Sequence, residues 1–158
     1  PAFTASINRG LQSILHRAGI TMFATMTVAV IDLASEKLNC LTAGHHAPLM
    51  ISPEARLEEL ETPKNLALGL MADADFAAIS CSFPAGSRLF LYTDGLLEAT
   101  NVQEEEWGRG RLVGSLKELM REGRSDDEIC ETTLKRLSDF SGKSHHKDDV
   151  TFLFARLS

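Results

Sequence analysis

Apolar and polar positions change period several times along this chain, and each change marks an element. Over residues 2–18, Phe3, Ile7, Leu11, Ile14 and Leu15 recur at helical spacing on one face, and Gly19 is placed to end the helix. Residues 22–32 are rich in Thr and Val with partial alternation, which predicts a strand. A connection of hairpin length, Asp32 to Glu36, leads to a return strand over 37–43. Gly44-His45-His46 then breaks the pattern. It resumes over Pro48 to Ile51 and stops at the turn signal Ser52-Pro53-Glu54. Residues 54–64 are polar and acidic and read as an irregular excursion or flap.

Gly69 interrupts the apolar stretch from Leu66 to Met71, at a point suited to close backbone approach. Ala77, Ile79, Cys81 and Phe83 alternate with mostly small residues, which predicts a half-buried strand over 76–83. Pro84-Ala85-Gly86 connects it to a strand over 87–93, and so short a link predicts that the two are antiparallel neighbours. Residues 102–108 are acidic and read as a mobile, solvated segment. Arg111 to Arg121 is amphipathic through Leu112, Leu116, Leu119 and Met120, with Gly123 beyond it. Ser125 and Glu128 form a capping box that opens a further helix, with Ile129, Thr133, Leu137 and Phe140 on one stripe and Gly142 at its end. After a polar loop over 141–147, a last strand over 149–157 alternates Val150, Phe152 and Phe154 with Thr151, Leu153 and Ala155. Hairpin links between strands favour antiparallel sheets, so the fold class is α+β. No repeat, low-complexity tract or internal linker appears, and residues 1–158 read as a single domain.

Composition narrows the function. A chain of 158 residues, 44% hydrophobic, can bury one substantial core. A net charge of -6 and a pI near 5.3 argue against non-specific nucleic-acid binding. The same charge repels an anionic ligand at long range unless a metal reverses the local potential. Three cysteines, Cys40, Cys81 and Cys130, show no metal-binding spacing and point to a reducing cytoplasmic compartment. No apolar stretch approaches the length of about 18 residues that a membrane span needs.

The candidate chemistry sits where the apolar run Leu89 to Tyr92 stops at Thr93-Asp94-Gly95. A carboxylate at the end of a buried strand needs a cation, a metal or hydrogen bonds. Gly95 permits a sharp turn and leaves open space beside Asp94. The alternative is an ordinary Asp-Gly hairpin turn. Asp148 and Asp149 form a second acidic site before the last strand, where adjacent like charges call for compensation. Hard divalent cations take such oxygen ligands, and Mg²⁺ uses one or two carboxylates plus waters. Two unrelated solvated turns are the competing reading. The histidine pairs His45-His46 and His145-His146 are weaker candidates: the first as loop residues, the second as linker residues or as groups orienting Asp148.

Taken in chain order, Ala43-Gly44-His45-His46-Ala47-Pro48, Leu68-Gly69-Leu70, Thr93-Asp94-Gly95 with Glu98 and Asn101, and Asp148-Asp149-Val150-Thr151 form a set. That set resembles the SpoIIE/RsbU-type branch of the metal-dependent (PPM, or type 2C) serine/threonine protein phosphatases. The resemblance implies a sandwich of antiparallel β-sheets flanked by α-helices. It implies hydrolysis of phosphoserine or phosphothreonine by water activated at two Mn²⁺ or Mg²⁺ ions. It further implies Asp94 and Asp148 as metal ligands, with Asp149 as an orienting residue or possible ligand and Gly95 beside them. Gly44 and His45 become a loop that shapes the site. The implied substrate is a phosphorylated bacterial regulator of the anti-anti-sigma or partner-switching type.

The family's front portion carries a Gly-Gly-Asp strand and a Gly-Asp-x-x-Gly-x-Gly turn, and neither occurs in this sequence. The expectation is therefore a domain without its opening segment. Such a chain would be inactive alone and able to form homodimers through exposed sheet edges. The rival expectation is a non-catalytic, phosphatase-like binding module that recognises a signalling partner.

Overall fold

The structure, a computed structural model, describes residues 1–142 and 148–157. The elements in chain order are α1 (Ala2–Ala18), β1 (Met26–Asp32), β2 (Lys37–Ala43), β3 (Leu49–Ile51), β4 (Leu57–Glu59) and β5 (Ile79–Ser82). They continue with β6 (Arg88–Tyr92), α2 (Asp94–Glu98), α3 (Gly108–Arg121), α4 (Asp126–Ser141) and β7 (Phe152–Arg156). The chain divides into two compact units, residues 1–47 with 60–84, and residues 48–59 with 85–158. Each unit holds one antiparallel sheet, which gives the expected α+β class.

The first unit carries the sheet β1-β2-β5. β1 and β2 pair over their full length, from Met26 opposite Ala43 to Asp32 opposite Lys37. The hairpin turn is closed by Asp32, whose carboxylate accepts from the backbone N–H groups of Ala34 and Ser35 and the Ser35 hydroxyl. The strand predicted from residue 22 begins only at Met26. Ala24 leaves the sheet and pairs with Leu68 instead, each backbone N–H donating to the other's carbonyl. Leu41, Ala43, Leu68 and Phe76 form the buried cluster, with Ala5, Ile7, Leu11 and Met26 packed against it.

α1 ends at Gly19 in the left-handed conformation, as expected, and Ile7, Leu11 and Leu15 of the predicted face are half-buried, but two of its members are not. Phe3 and Ile14 are each 66% exposed, while Thr4 and Asn8 are buried. Asn8 is 0% exposed and fully bonded: Nδ2 donates to the carbonyls of Met71 and Ala72, and Oδ1 accepts from the Gly69 N–H. An amide that answers three backbone groups of a returning loop can replace an apolar side chain at a helix interface. Gly69 itself has φ +88, and a Cβ there would lie 3.1 Å from Leu15 and 3.2 Å from the Met22 carbonyl. Close approach at this glycine is thus observed.

The second unit carries the sheet β4-β3-β6-β7. β6 is central, pairing with β3 on one side and with β7 on the other, from Arg88 opposite Arg156 to Tyr92 opposite Phe152. Its neighbours explain its sequence, since a strand covered on both edges and packed on its faces reads as an unbroken apolar run. Phe90 stacks on Phe152 at 5.2 Å and meets Phe154 edge-on at 5.8 Å. Trp107, Leu112, Leu116, Leu119, Ile129 and Leu137 join this core from the helical side. The predicted capping box is present: Ser125 Oγ accepts from Glu128 N, and the Glu128 carboxylate accepts from Ser125 N. Next to it, Asp126 bonds Arg88 at 2.6 Å and lies 3.9 Å from Arg156, so a carboxylate bridges the cross-strand arginine pair.

Two expectations fail in instructive ways, and a third gains a detail. β5 and β6 are not neighbours, because β5 pairs with β2 whereas β6 pairs with β3 and β7. The change happens across Pro84, which has no N–H to give. Phe83 N still bonds Glu36 O on one side of it, and Gly86 N bonds Leu157 O on the other. Residues 54–64 are not wholly irregular, since Leu57–Glu59 forms β4 against β3 around a turn closed by Arg56 and Ser52. Three residues are too few to display a period. Residues 102–106 are exposed, as the solvated reading of 102–108 expects, and residues 100–107 form a hydrogen-bonded turn. The Asn101 side chain accepts from Gln103 N and Glu105 N and donates to Glu105, and Trp107 is buried beside Phe140.

Candidate functional site

The second unit brings the two acidic motifs together. β6 delivers Thr93 in an extended conformation, and the chain then turns straight into α2 with Asp94 in its first turn. A hairpin does not form here, because Leu96, at 0% exposure, anchors the following turn in the core. The Asp94 carboxylate is exposed, and Oδ1 accepts from the Gly95 N–H at 3.0 Å.

Gly95 is buried, but its role differs from the predicted one. It does not leave open space. A Cβ on it would lie 2.5 Å from the Asp149 carbonyl oxygen, 3.0 Å from the Asp149 carbonyl carbon and 3.4 Å from the Asp148 carbonyl oxygen. Its φ is not in the left-handed region, so glycine is required for close approach and not for conformation. The main chain carrying Asp148 and Asp149 therefore rests directly on the residue after Asp94.

Thr93 fastens the same segment. Its backbone N–H donates to the Thr151 carbonyl at 2.9 Å, and its hydroxyl accepts from the Thr151 N–H at 3.1 Å. The hydroxyl also lies 3.3 Å from the Asp149 carbonyl and 3.2 Å from the Thr151 carbonyl. Asp148 Oδ1 accepts from Asp149 N at 2.8 Å, and both aspartates are exposed. Thr93 stands in the motif Thr93-Asp94-Gly95, which by itself assigns it no role. The signal available for it was a β-branched hydroxyl residue between a buried strand and an acidic turn.

The chemistry of this donor set suits a hard cation. Exposed carboxylates on opposed segments match Mg²⁺ or Mn²⁺, which take one or two carboxylates and complete the shell with water. Among the described residues no group of three or more His, Cys, Asp or Glu is placed to hold a metal ion. A donor set of this chemistry suits at most one water-rich ion. Cysteine offers no alternative nucleophile in Cys40, whose thiol is pushed up to about 11 by burial and, secondarily, by the nearby Cys81.

Gly44 and His45 belong to the first unit. Gly44 has φ +63, and a Cβ there would clash with Ala67 at 2.6 Å. His45 Nδ1 lies 3.0 Å from the Thr25 hydroxyl, and His46 is exposed. His145 and His146 lie outside the described residues. No helix among the described residues is long and apolar enough to cross a membrane.

The fold is that of PP2C-type phosphatase domains. The SiaA-PP2C domain of Pseudomonas aeruginosa matches with a TM-score of 0.84 over 99% of this chain and 60% of that one, at 21% identity. The family model described as Stage II sporulation protein E (SpoIIE) matches residues 2–158, and the chain belongs to that family. Among curated relatives, Protein IcfG of Synechocystis sp. is 28% identical over 134 residues, 85% of this chain and 20% of its own length. Phosphoserine phosphatase RsbP of Bacillus subtilis is 28% identical over 78 residues, 49% of this chain and 19% of its own length. The chain spans about a fifth of the length of these curated relatives.

Proposed function

We propose that this chain is the metal-binding part of a cytoplasmic protein phosphatase. It removes phosphate from phosphoserine or phosphothreonine on a bacterial regulator of the anti-anti-sigma or partner-switching kind. Membership of the SpoIIE family and similarity to a relative named a phosphoserine phosphatase support the reaction class. The observation that supports the reading is the close approach of Gly95, the residue after Asp94, to the main chain of Asp148 and Asp149. The two compact units act as parts of one domain, since the family match runs across both.

Asp94 and Asp148 hold a Mn²⁺ or Mg²⁺ ion, and Asp149 orients the segment or lends a further oxygen. When bound, such ions supply Lewis acidity and an activated water for in-line displacement at phosphorus. The acids hold the cation, and their charge together with a net -6 excludes the phosphorylated substrate until that charge is offset.

No Gly-Gly-Asp motif occurs in these 158 residues, so the 158-residue chain on its own binds a single ion weakly and turns over little. One observation favours a second reading, a non-catalytic recognition module: the described residues hold no cluster of three ligating side chains. Asp94→Asn separates the two. On the phosphatase reading this variant stays folded, loses Mn²⁺ binding in a titration, and abolishes Mn²⁺-dependent phosphopeptide hydrolysis by the protein as its host makes it. Unchanged Mn²⁺ binding and hydrolysis in a well-folded variant would refute it.

A further inference from the structure

We propose that Thr93 is a positioning residue whose hydroxyl sets the segment carrying Asp148 and Asp149 against Asp94. Its consequence for a cation rests on the metal-site reading above, while its geometry does not. The β6–β7 ladder runs regularly as far as Tyr92 opposite Phe152. One residue further on, Thr93 N still donates to Thr151 O at 2.9 Å. The return bond of a regular antiparallel ladder would run from Thr151 N to the Thr93 carbonyl. That carbonyl is already engaged in α2, where Leu96 N donates to it at 3.2 Å. The Thr93 hydroxyl takes its place, accepting from Thr151 N at 3.1 Å. Its own hydrogen is shared between the carbonyls of Asp149 at 3.3 Å and Thr151 at 3.2 Å.

A side chain thus extends the ladder by one step after the backbone has left it for the helix. That step delivers the Asp149 carbonyl to Gly95, where the fit leaves no room for a methyl group. Threonine suits the task because branching at Cβ restricts χ1, so the hydroxyl is held in one direction. Valine keeps the shape and removes both bonds; serine keeps the hydroxyl and gives up part of the restriction.

The test compares wild type, Thr93→Val and Thr93→Ser in the 158-residue chain, by residue-resolved hydrogen exchange and by Mn²⁺ titration. Thr93→Val is expected to speed exchange of the Thr151 amide by about tenfold or more, because its acceptor is gone. It is expected to weaken Mn²⁺ binding by roughly 10-fold, as the loss of a group that orients ligands does. Thr93→Ser should restore both to near wild-type values, and exchange in α4 should be unaffected throughout. Unchanged Thr151 exchange in Thr93→Val overturns the proposal, as does lost protection with unchanged Mn²⁺ affinity. Failure of the metal reading looks different, with wild type and both variants binding no Mn²⁺. In that case the Thr151 amide still decides whether Thr93 holds the segment.

Discussion

Adding one methyl group at Gly95 separates the cost to the fold from the cost to the site. In Gly95→Ala the new Cβ would sit 2.5 Å from the Asp149 carbonyl oxygen, where ordinary contact begins at 3.4 Å, so the segment must retreat by about 0.9 Å. Backbone atoms on both sides make that movement collective. Overpacking of this kind costs about 1–3 kcal/mol. Against it, alanine in place of glycine inside a helix gains about 1 kcal/mol, and φ here does not oppose the change. The net loss of stability is about 0–2 kcal/mol, a fall in melting temperature of up to about 8 °C for a chain of this size. A binding constellation tolerates only about 0.5 Å of displacement, so Mn²⁺ affinity is expected to drop by at least about tenfold. Thermal unfolding and isothermal Mn²⁺ titration of the same preparation measure the two effects. Gly95→Ala with wild-type Mn²⁺ affinity would refute the claim that this contact builds the site.

Three further outcomes follow from other parts of the molecule. Asp148→Asn is expected to weaken Mn²⁺ binding more than Asp149→Asn, and titrations giving the reverse order would exchange their roles. Asn8→Ala leaves the Gly69 N–H and the carbonyls of Met71 and Ala72 without their partner; a loss of about 2–4 kcal/mol in urea unfolding is expected, and a loss below about 0.5 kcal/mol would contradict it. The outer edge of β1 is seven residues long with no Pro or Lys, and an antiparallel second copy centred on Ala29 places Val28 opposite Val30 of its partner. Light scattering should therefore detect a dimer that Val30→Lys, at a side chain 55% exposed, returns to monomer, whereas a wild-type chain that stays monomeric at high concentration would contradict it.

Local chemistry made much of this protein legible in its sequence. The hairpin partner strand over 37–43, the ending of α1 at Gly19 and the capping box at Ser125 and Glu128 depend on residues near one another in the chain. Periodicity and caps encode them directly. The buried run ending at Asp94 and the acidic pair at 148–149 were visible for the same reason. What sequence could not supply was pairing between distant segments. Nothing local distinguishes a strand that turns back on its neighbour from one that leaves for another sheet, so β5 and β6 were wrongly joined. Asn8 reads as a polar interruption of a helix until the loop at 69–72 arrives to use all of its bonds. Gly95 reads as a turn residue until the Asp149 carbonyl fills the space where its side chain would be. The residue types at the site were fixed by the chain, but the reason for each lies in a partner more than 50 positions away, which only folding brings within reach.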